Sequence, residues 1–105
     1  MCGRYNIVTD AQALIDAFDI AFNELSDTQL NTARYNIPPT STVPVVIMRD
    51  GRRTLSGAHW GLLPHWAKDK KLAFRTYNAR SETITEKASF RSPIKKSRCI
   101  VPASG

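Results

Sequence analysis

Long apolar runs are missing from this sequence. Nothing approaches the roughly 20 consecutive apolar residues that cross a bilayer, and no apolar signal-peptide core follows the first residues. The expectation is a protein with no membrane partner, kept in the cytoplasm. Cysteine is scarce too. Cys2 and Cys99 allow a single disulfide, and without a sign of export the default is two free thiols in a reducing compartment. His59 and His65 stand apart and no paired Cys or His spacing suits zinc, so neither a metal nor another cofactor is expected. Acidic residues are the last shortage: nine Asp and Glu face fifteen Lys and Arg, for a formal net charge of +6. That excess favours an acidic partner, most simply nucleic acid, through phosphate contacts and counterion release; the plainer alternative is a solvated basic surface.

With 42% hydrophobic and 23% charged residues, the 105-residue chain has the composition of an ordinary globular protein. It is long enough for one compact domain and too short for two. No repeat, low-complexity tract or interdomain linker interrupts it.

The first residues, Met1-Cys2-Gly3-Arg4, carry the most chemistry. If Met1 is trimmed, as is general before a small second residue, the thiol of Cys2 stands beside a free α-amine. Such a 1,2-aminothiol offers two nucleophiles on one carbon skeleton. Its natural electrophile is an aldehyde, because the amine condenses to an imine and the sulfur then closes a five-membered thiazolidine. Attack of the thiol on an amide carbonyl, as in N-terminal nucleophile hydrolases, is the other option. Gly3 adds little bulk and Arg4 can hold an anion nearby. On these four residues alone, Cys2 can equally be an incidental residue near a frayed terminus.

Further along, Arg4 to Val8 reads as extended, and Thr9 with Gln12 makes a capping box for a helix whose buried stripe is Leu14, Ile15, Phe18 and Phe22. Asn23 to Asn31 reads as a loop or short helix. In Arg34-Tyr35-Asn36-Ile37-Pro38-Pro39-Thr40 the prolines hold an extended backbone, either a rim for a ligand or a stiff connector. Val43 to Met48 and Arg52 to His59 flank Asp50-Gly51, a hairpin signal. Trp60 continues the strand and belongs to the core. Trp66 follows a proline and precedes Lys68, Lys70 and Lys71, which suits an exposed aromatic stacking on bases beside phosphate-binding lysines, or a half-buried packing residue. If Tyr77 to Thr83 is a strand, Asn78, Arg80 and Glu82 share a face, to orient a substrate or to form a structural network. Ser89 to Lys96 reads as a basic loop or short helix. Arg98 to Val101 reads as a last strand with Cys99 buried, and Pro102 to Gly105 as a turn.

Five stretches, taken in order, resemble one family: Met1 to Tyr5, Arg34 to Thr40, Trp60 to Trp66, Asn78 to Thr83, and Ser89-Phe90-Arg91 through Arg98 to Ala103. The sequence is similar to the SOS response-associated peptidase family over nearly its whole length. The resemblance implies an α+β fold, a curved, branched mixed sheet surrounded by short helices. It also implies a shield for abasic sites in single-stranded DNA, in which Cys2 crosslinks to the ring-opened aldehyde as a thiazolidine. Asn78 then positions the opened sugar or the Cys2 amine, Arg4 and Arg80 bind the flanking phosphates, and Asn36 and Pro39 line the rim along the strand. Trp66 serves as a wedge that kinks the DNA. Lys70 stands outside the resemblance, and its place in the basic run after Trp66 makes it a candidate phosphate contact in its own right. The setting implied is the bacterial cytoplasm, at the nucleoid when bound to DNA.

One departure is large. The family's pattern continues for roughly another hundred residues, a domain-sized extension, with a Trp-x-Glu-Trp segment whose Glu assists acid/base steps and a later His that stabilises the imine stage or the lyase reaction, neither of which has a counterpart in residues 1–105. Ser104 also replaces the usual Asp of the preceding turn. Residues 1–105 are therefore expected to be the N-terminal part of such a domain, as a fragment, a truncated frame or one piece of a split assembly whose C-terminal half lies on another chain. Family members form DNA–protein crosslinks, with associated lyase and autoproteolytic peptidase activities. Two rival readings remain beside the shield. An N-terminal cysteine amidohydrolase or peptidase is one, although the Asn-Gly pair usual in its oxyanion hole is absent. The other is a single-stranded DNA binding module with an inert Cys2.

Overall fold

The structure is a computed structural model that describes residues 2–26 and 34–105. Its centre is the hairpin of β4 (Thr42–Arg49) and β5 (Arg52–His59), paired in unbroken antiparallel register from Thr42↔His59 to Arg49↔Arg52. The turn is the one its sequence demands: Asp50 and Gly51 both take positive φ, 52° and 74°. β2 (Phe22–Asn23) adds to the other side of β5 in parallel, and β1 (Tyr5–Ile7) pairs with β3 (Arg34–Ile37) in a separate antiparallel ladder. These mixed sheets, with short helices around them, make an α+β fold. Pro44 sits within β4 without cost because β4 is the edge of its sheet.

Ile7, Leu14, Ile37, Val43, Val45, Val46 and Leu55 form the buried apolar cluster. Leu55 is fully enclosed and Ile37 is 1% exposed; burying each such side chain stabilises by about 1.5–3 kcal/mol. Alternation along the hairpin puts Val43 and Val45 on one face, and Val43 pairs across to Ala58.

Four local expectations change. Helix α1 (Ala11–Phe18) is capped by Asp10, not Thr9: Asp10 Oδ1 accepts from Ala13 N at 2.8 Å, while Gln12 donates to Asp16. Asp19 adopts the left-handed conformation at φ 52°, which ends the helix and leaves Phe22 half exposed on β2 rather than on the helical stripe. The stretch from Asn78 to Thr83 is irregular and then turns, so Asn78, Arg80 and Glu82 do not form a strand row. Arg98 to Val101 makes a single bridge, Ile100 to Val46, instead of a full strand. Cys99 is consequently exposed rather than buried, since among the described residues this segment pairs only through the Ile100–Val46 bridge. Of the expected Asn23 to Asn31 loop, the part from residue 27 lies outside the described residues. Ser89 to Lys96 does contain a short helix, α2 (Pro93–Lys96).

Candidate active site at the chain start

Cys2 is held from both directions along the chain. Asn78 Nδ2 donates to Cys2 O at 2.8 Å, and the Cys2 thiol points back to Arg4 O at 3.6 Å. Behind these contacts stands an aromatic wall. Tyr5 meets Trp60 edge-on with ring centroids 5.5 Å apart, and Trp60 meets Tyr77 in the same manner at 6.5 Å. Trp60 Nε1 donates to Tyr77 O at 2.9 Å, which sets the backbone immediately before Asn78. The hairpin therefore positions the amide through one tryptophan.

The segment following Trp60 is pinned by a close approach. Gly61 has φ 129°, and a Cβ there would lie 2.6 Å from Ala73 O, so only glycine lets the 3₁₀ helix Lys70–Arg75 pack against it. Thr76 Oγ1 then donates to Leu62 O at 2.5 Å. At the far end of the chain, Ser104 Oγ accepts from Val8 N at 2.9 Å and Gly105 O accepts from Asn6 N at 2.7 Å, tying the last residues to β1.

Together these elements enclose a cavity of about 370 Å³, whose lining includes Cys2, Tyr5, His59, Trp60, Asn78 and Cys99. Its floor is the Val43–Val45 face of β4. The Tyr5 hydroxyl is buried without a hydrogen-bond partner. Burial pushes its pKa up, the Arg34 guanidinium partly opposes this, and the nearby Cys2 thiol adds to the rise. Cys99 is exposed as a residue, but the protein around its sulfur still pushes that thiol up. Sequence reasoning did not foresee Tyr5 or Cys99 in this cavity; an apolar or aromatic residue in a short strand carries no local signal of what it faces.

The other expected site residues distribute as follows. Arg4 and Arg80 are exposed two residues from Cys2 and Asn78 respectively. Asn36 is exposed on β3, next to Ile37, which pairs with Tyr5. Pro39 precedes Thr40, a β-branched residue held at φ 71° by hydrogen bonds with Trp60 on the Thr40–Ser41 backbone. Trp66 is 53% exposed, and Lys70 opens the 3₁₀ helix in solvent. None of Asn36, Pro39, Trp66 and Lys70 lines the Cys2 cavity. Among the described residues no three His, Cys, Asp or Glu side chains converge as a metal site, and no helix is long and apolar enough to cross a membrane.

Comparison with known proteins gives this geometry a family. The chain is 40% identical over 104 residues to the abasic site processing protein YoaM of Bacillus subtilis, a match that covers 98% of this chain and 44% of that relative. It is 41% identical over 83 residues to the rat abasic site processing protein HMCES, covering 68% of this chain and 24% of HMCES. The chain thus spans less than half the length of these relatives. A Bordetella bronchiseptica protein solved by X-ray crystallography shares the fold with a TM-score of 0.68 at 24% identity, over 97% of this chain and 48% of the other. The profile of the SOS response associated peptidase (SRAP) family matches residues 1–105, and the chain belongs to that family.

Proposed function

We propose that this chain recognises abasic sites in single-stranded DNA and captures them covalently through Cys2. The observation that carries the reading is the contact of Asn78 Nδ2 with Cys2 O at 2.8 Å, at the lip of a cavity that the exposed Cys2 lines. With Met1 removed, the α-amine adds to the aldehyde of the ring-opened sugar and one water leaves to give the imine. The thiol then adds to the imine carbon, its proton passing to the nitrogen, and the thiazolidine closes. Two bonds to one carbon form for one water lost. Asn78 restrains the Cys2 backbone in this sequence, so that amine and sulfur face the same carbon. Arg4 and Arg80 neutralise the flanking phosphates, Asn36 and Pro39 form a rim for the strand, and exposed Trp66 with Lys70 gives a stacking and phosphate contact. A strand read through phosphates and stacking is bound without regard to sequence. When so bound, the protein resides on the chromosome.

The same reading makes residues 1–105 the N-terminal part of a larger domain. Ile100 and Val101, 51% and 49% exposed beside the edge of β4, offer a pairing edge and apolar surface to polypeptide equivalent to the part of the relatives not spanned here. Such polypeptide, on the same chain or another, supplies the acid/base groups that set the rate.

The test is intact-protein mass spectrometry after incubation with a single-stranded oligonucleotide bearing one abasic site. The expected product has the summed mass of protein without Met1 and DNA less one water, survives heating, and is absent in Cys2→Ala. Binding of abasic DNA that Cys2→Ala leaves unchanged, with no adduct in either protein, replaces this reading with a plain single-stranded DNA binding module. Turnover of a peptide or glutamine, without response to abasic DNA, replaces it with the amidohydrolase.

A further inference from the structure

The run after Asn78 is built of consecutive turns with a common side. Thr83 N donates to Arg80 O at 3.2 Å, Lys87 N to Thr83 O at 2.9 Å, and Phe90 N to Lys87 O at 3.1 Å. Spans of three and four residues, repeated, place 80, 83, 87 and 90 along one side, as they would on a helix. Opposite them the 3₁₀ helix ends in Phe74 and Arg75, and Thr76 anchors that end to Leu62. Between the two lies a second cavity of about 340 Å³, lined by Phe74, Arg75, Arg80, Thr83, Lys87 and Phe90 and sharing Asn78 with the Cys2 cavity.

Its chemistry is one-sided. Three cations line it and no carboxylate does. The ion pair of Arg49 with Glu24 lies elsewhere, between the end of β4 and the residue after β2. Exposed cations gathered around one concavity give it a shared positive field, which an incoming anion meets from three sides. Phe74 is 65% exposed, apolar surface that the core does not use. Cations for a phosphate, a phenylalanine face for a base and a hydroxyl for a polar edge are the parts that hold one unstacked nucleotide. The volume falls in the range of small-ligand sites, about 300–1,000 Å³.

We propose that this second cavity is a nucleotide subsite for the residue of the DNA strand next to the lesion, with its phosphate on Arg75, Arg80 and Lys87 and its base against Phe74 and Phe90. This rests on the reading of the Cys2 cavity as the lesion site, because Asn78 belongs to both. The shared wall sets the spacing: a strand whose opened sugar reaches Cys2 passes its neighbouring nucleotide directly into the basic cavity. The base is thereby pulled out of the stack, which exposes the abasic sugar to attack.

The test uses fluorescence anisotropy with a labelled single-stranded oligonucleotide carrying tetrahydrofuran, an abasic analogue with no aldehyde, so that binding is read without crosslinking. Arg75→Gln and Lys87→Gln are each expected to reduce the slope of log affinity against log salt by about 0.7, the single-strand value per phosphate contact. Removing the base beside the tetrahydrofuran, on whichever flank occupies the cavity, is expected to weaken wild-type binding about fivefold or more, the effect of one lost stacking contact. In Phe74→Ala, which leaves only Phe90 against the base, the same base removal is expected to cost clearly less than in the wild type. Unchanged salt slopes, or equal base-removal losses in wild type and Phe74→Ala, overturn the subsite. Adduct formation with a true abasic oligonucleotide is measured in parallel. A wild-type adduct with unaltered variants removes the subsite and leaves the covalent reading standing. Weakened variants without any wild-type adduct do the opposite, and failure of the wild type to bind the oligonucleotide overturns both.

Discussion

The β4–β5 hairpin and the run of turns from Gly61 to Gly105 are held by different forces. The hairpin rests on an unbroken backbone ladder and on side chains closed away from water, with Leu55, Val43, Val45 and Val46 in one cluster. The later run has few buried side chains and is fastened at points: Trp60 to Tyr77, Thr76 to Leu62, Asn78 to Cys2 and Ser104 to Val8. The hairpin carries the stability, and the pinned turns carry most of the polar groups the site uses. Such a division lets loops vary in chemistry over a constant scaffold. It also separates what a mutation does to folding from what it does to reaction.

Leu55→Ala is the sharpest break on the hairpin side. The side chain is wholly enclosed, and its removal from a packed core costs about 2–5 kcal/mol. Chemical denaturation should show that loss as a lower midpoint with the slope unchanged. Because the same hairpin carries Val43 and Val45, which floor the Cys2 cavity from its other face, adduct formation should fall with the folded fraction and recover when the variant is measured under stabilising conditions. A variant that keeps its midpoint removes the hairpin from its role as the source of stability.

On the other side, Asn78→Ala should spare the fold and slow the chemistry. Asn78 is half buried and its one hydrogen bond of note reaches across to Cys2 O, so the stability change should stay within about 1 kcal/mol. Loss of the restraint on the nucleophile should slow adduct formation about 10- to 100-fold, the usual scale for misplacing a reacting group. Single-turnover kinetics at saturating abasic DNA reads this without interference from binding. An unchanged rate would move Asn78 from the chemistry to simple structure.

The same contrast explains what could be read in advance. The hairpin was legible because every instruction for it is local: Asp50-Gly51 for the turn, and β-branched residues on either side. The helix was legible to within one residue at its start, where Asp10 and Thr9 compete as caps, and it stops early because Asp19 turns left-handed. The turns were not legible. Asn78, Arg80 and Glu82 have strand-like spacing, but their conformation is set by Trp60 reaching Tyr77 from 17 residues away, a contact that no local pattern encodes. The meeting of Cys2 with Asn78, 76 residues apart, could be anticipated only from the resemblance. Arg98 to Val101 has the composition of a strand and pairs at one point only, since a strand needs neighbours as well as residues.

The smallest effect concerns the wall shared by both regions. The Tyr5 hydroxyl is buried without a partner, and burial raises its pKa above the ordinary 10.0. A phenol whose pKa is higher in the folded state keeps its proton after the unfolded chain has lost one. Its contribution to stability is therefore complete below about pH 10 and lost as pH rises through the folded value. Tyr5→Phe removes this term, and it also removes a buried oxygen whose hydrogen bonds to water were given up without return. The variant should match or slightly exceed the wild type in stability at neutral pH and lose less of it between pH 9 and 11 (roughly the span around an ordinary tyrosine). Cys99, whose thiol is also pushed up, contributes an earlier decline from near its ordinary 9.0, so the comparison is made in a Cys99→Ser background. Parallel alkaline limbs for Tyr5 and Tyr5→Phe would mean that the hydroxyl finds water or a partner in solution, and that the cavity behind Cys2 is wetter than its aromatic wall indicates.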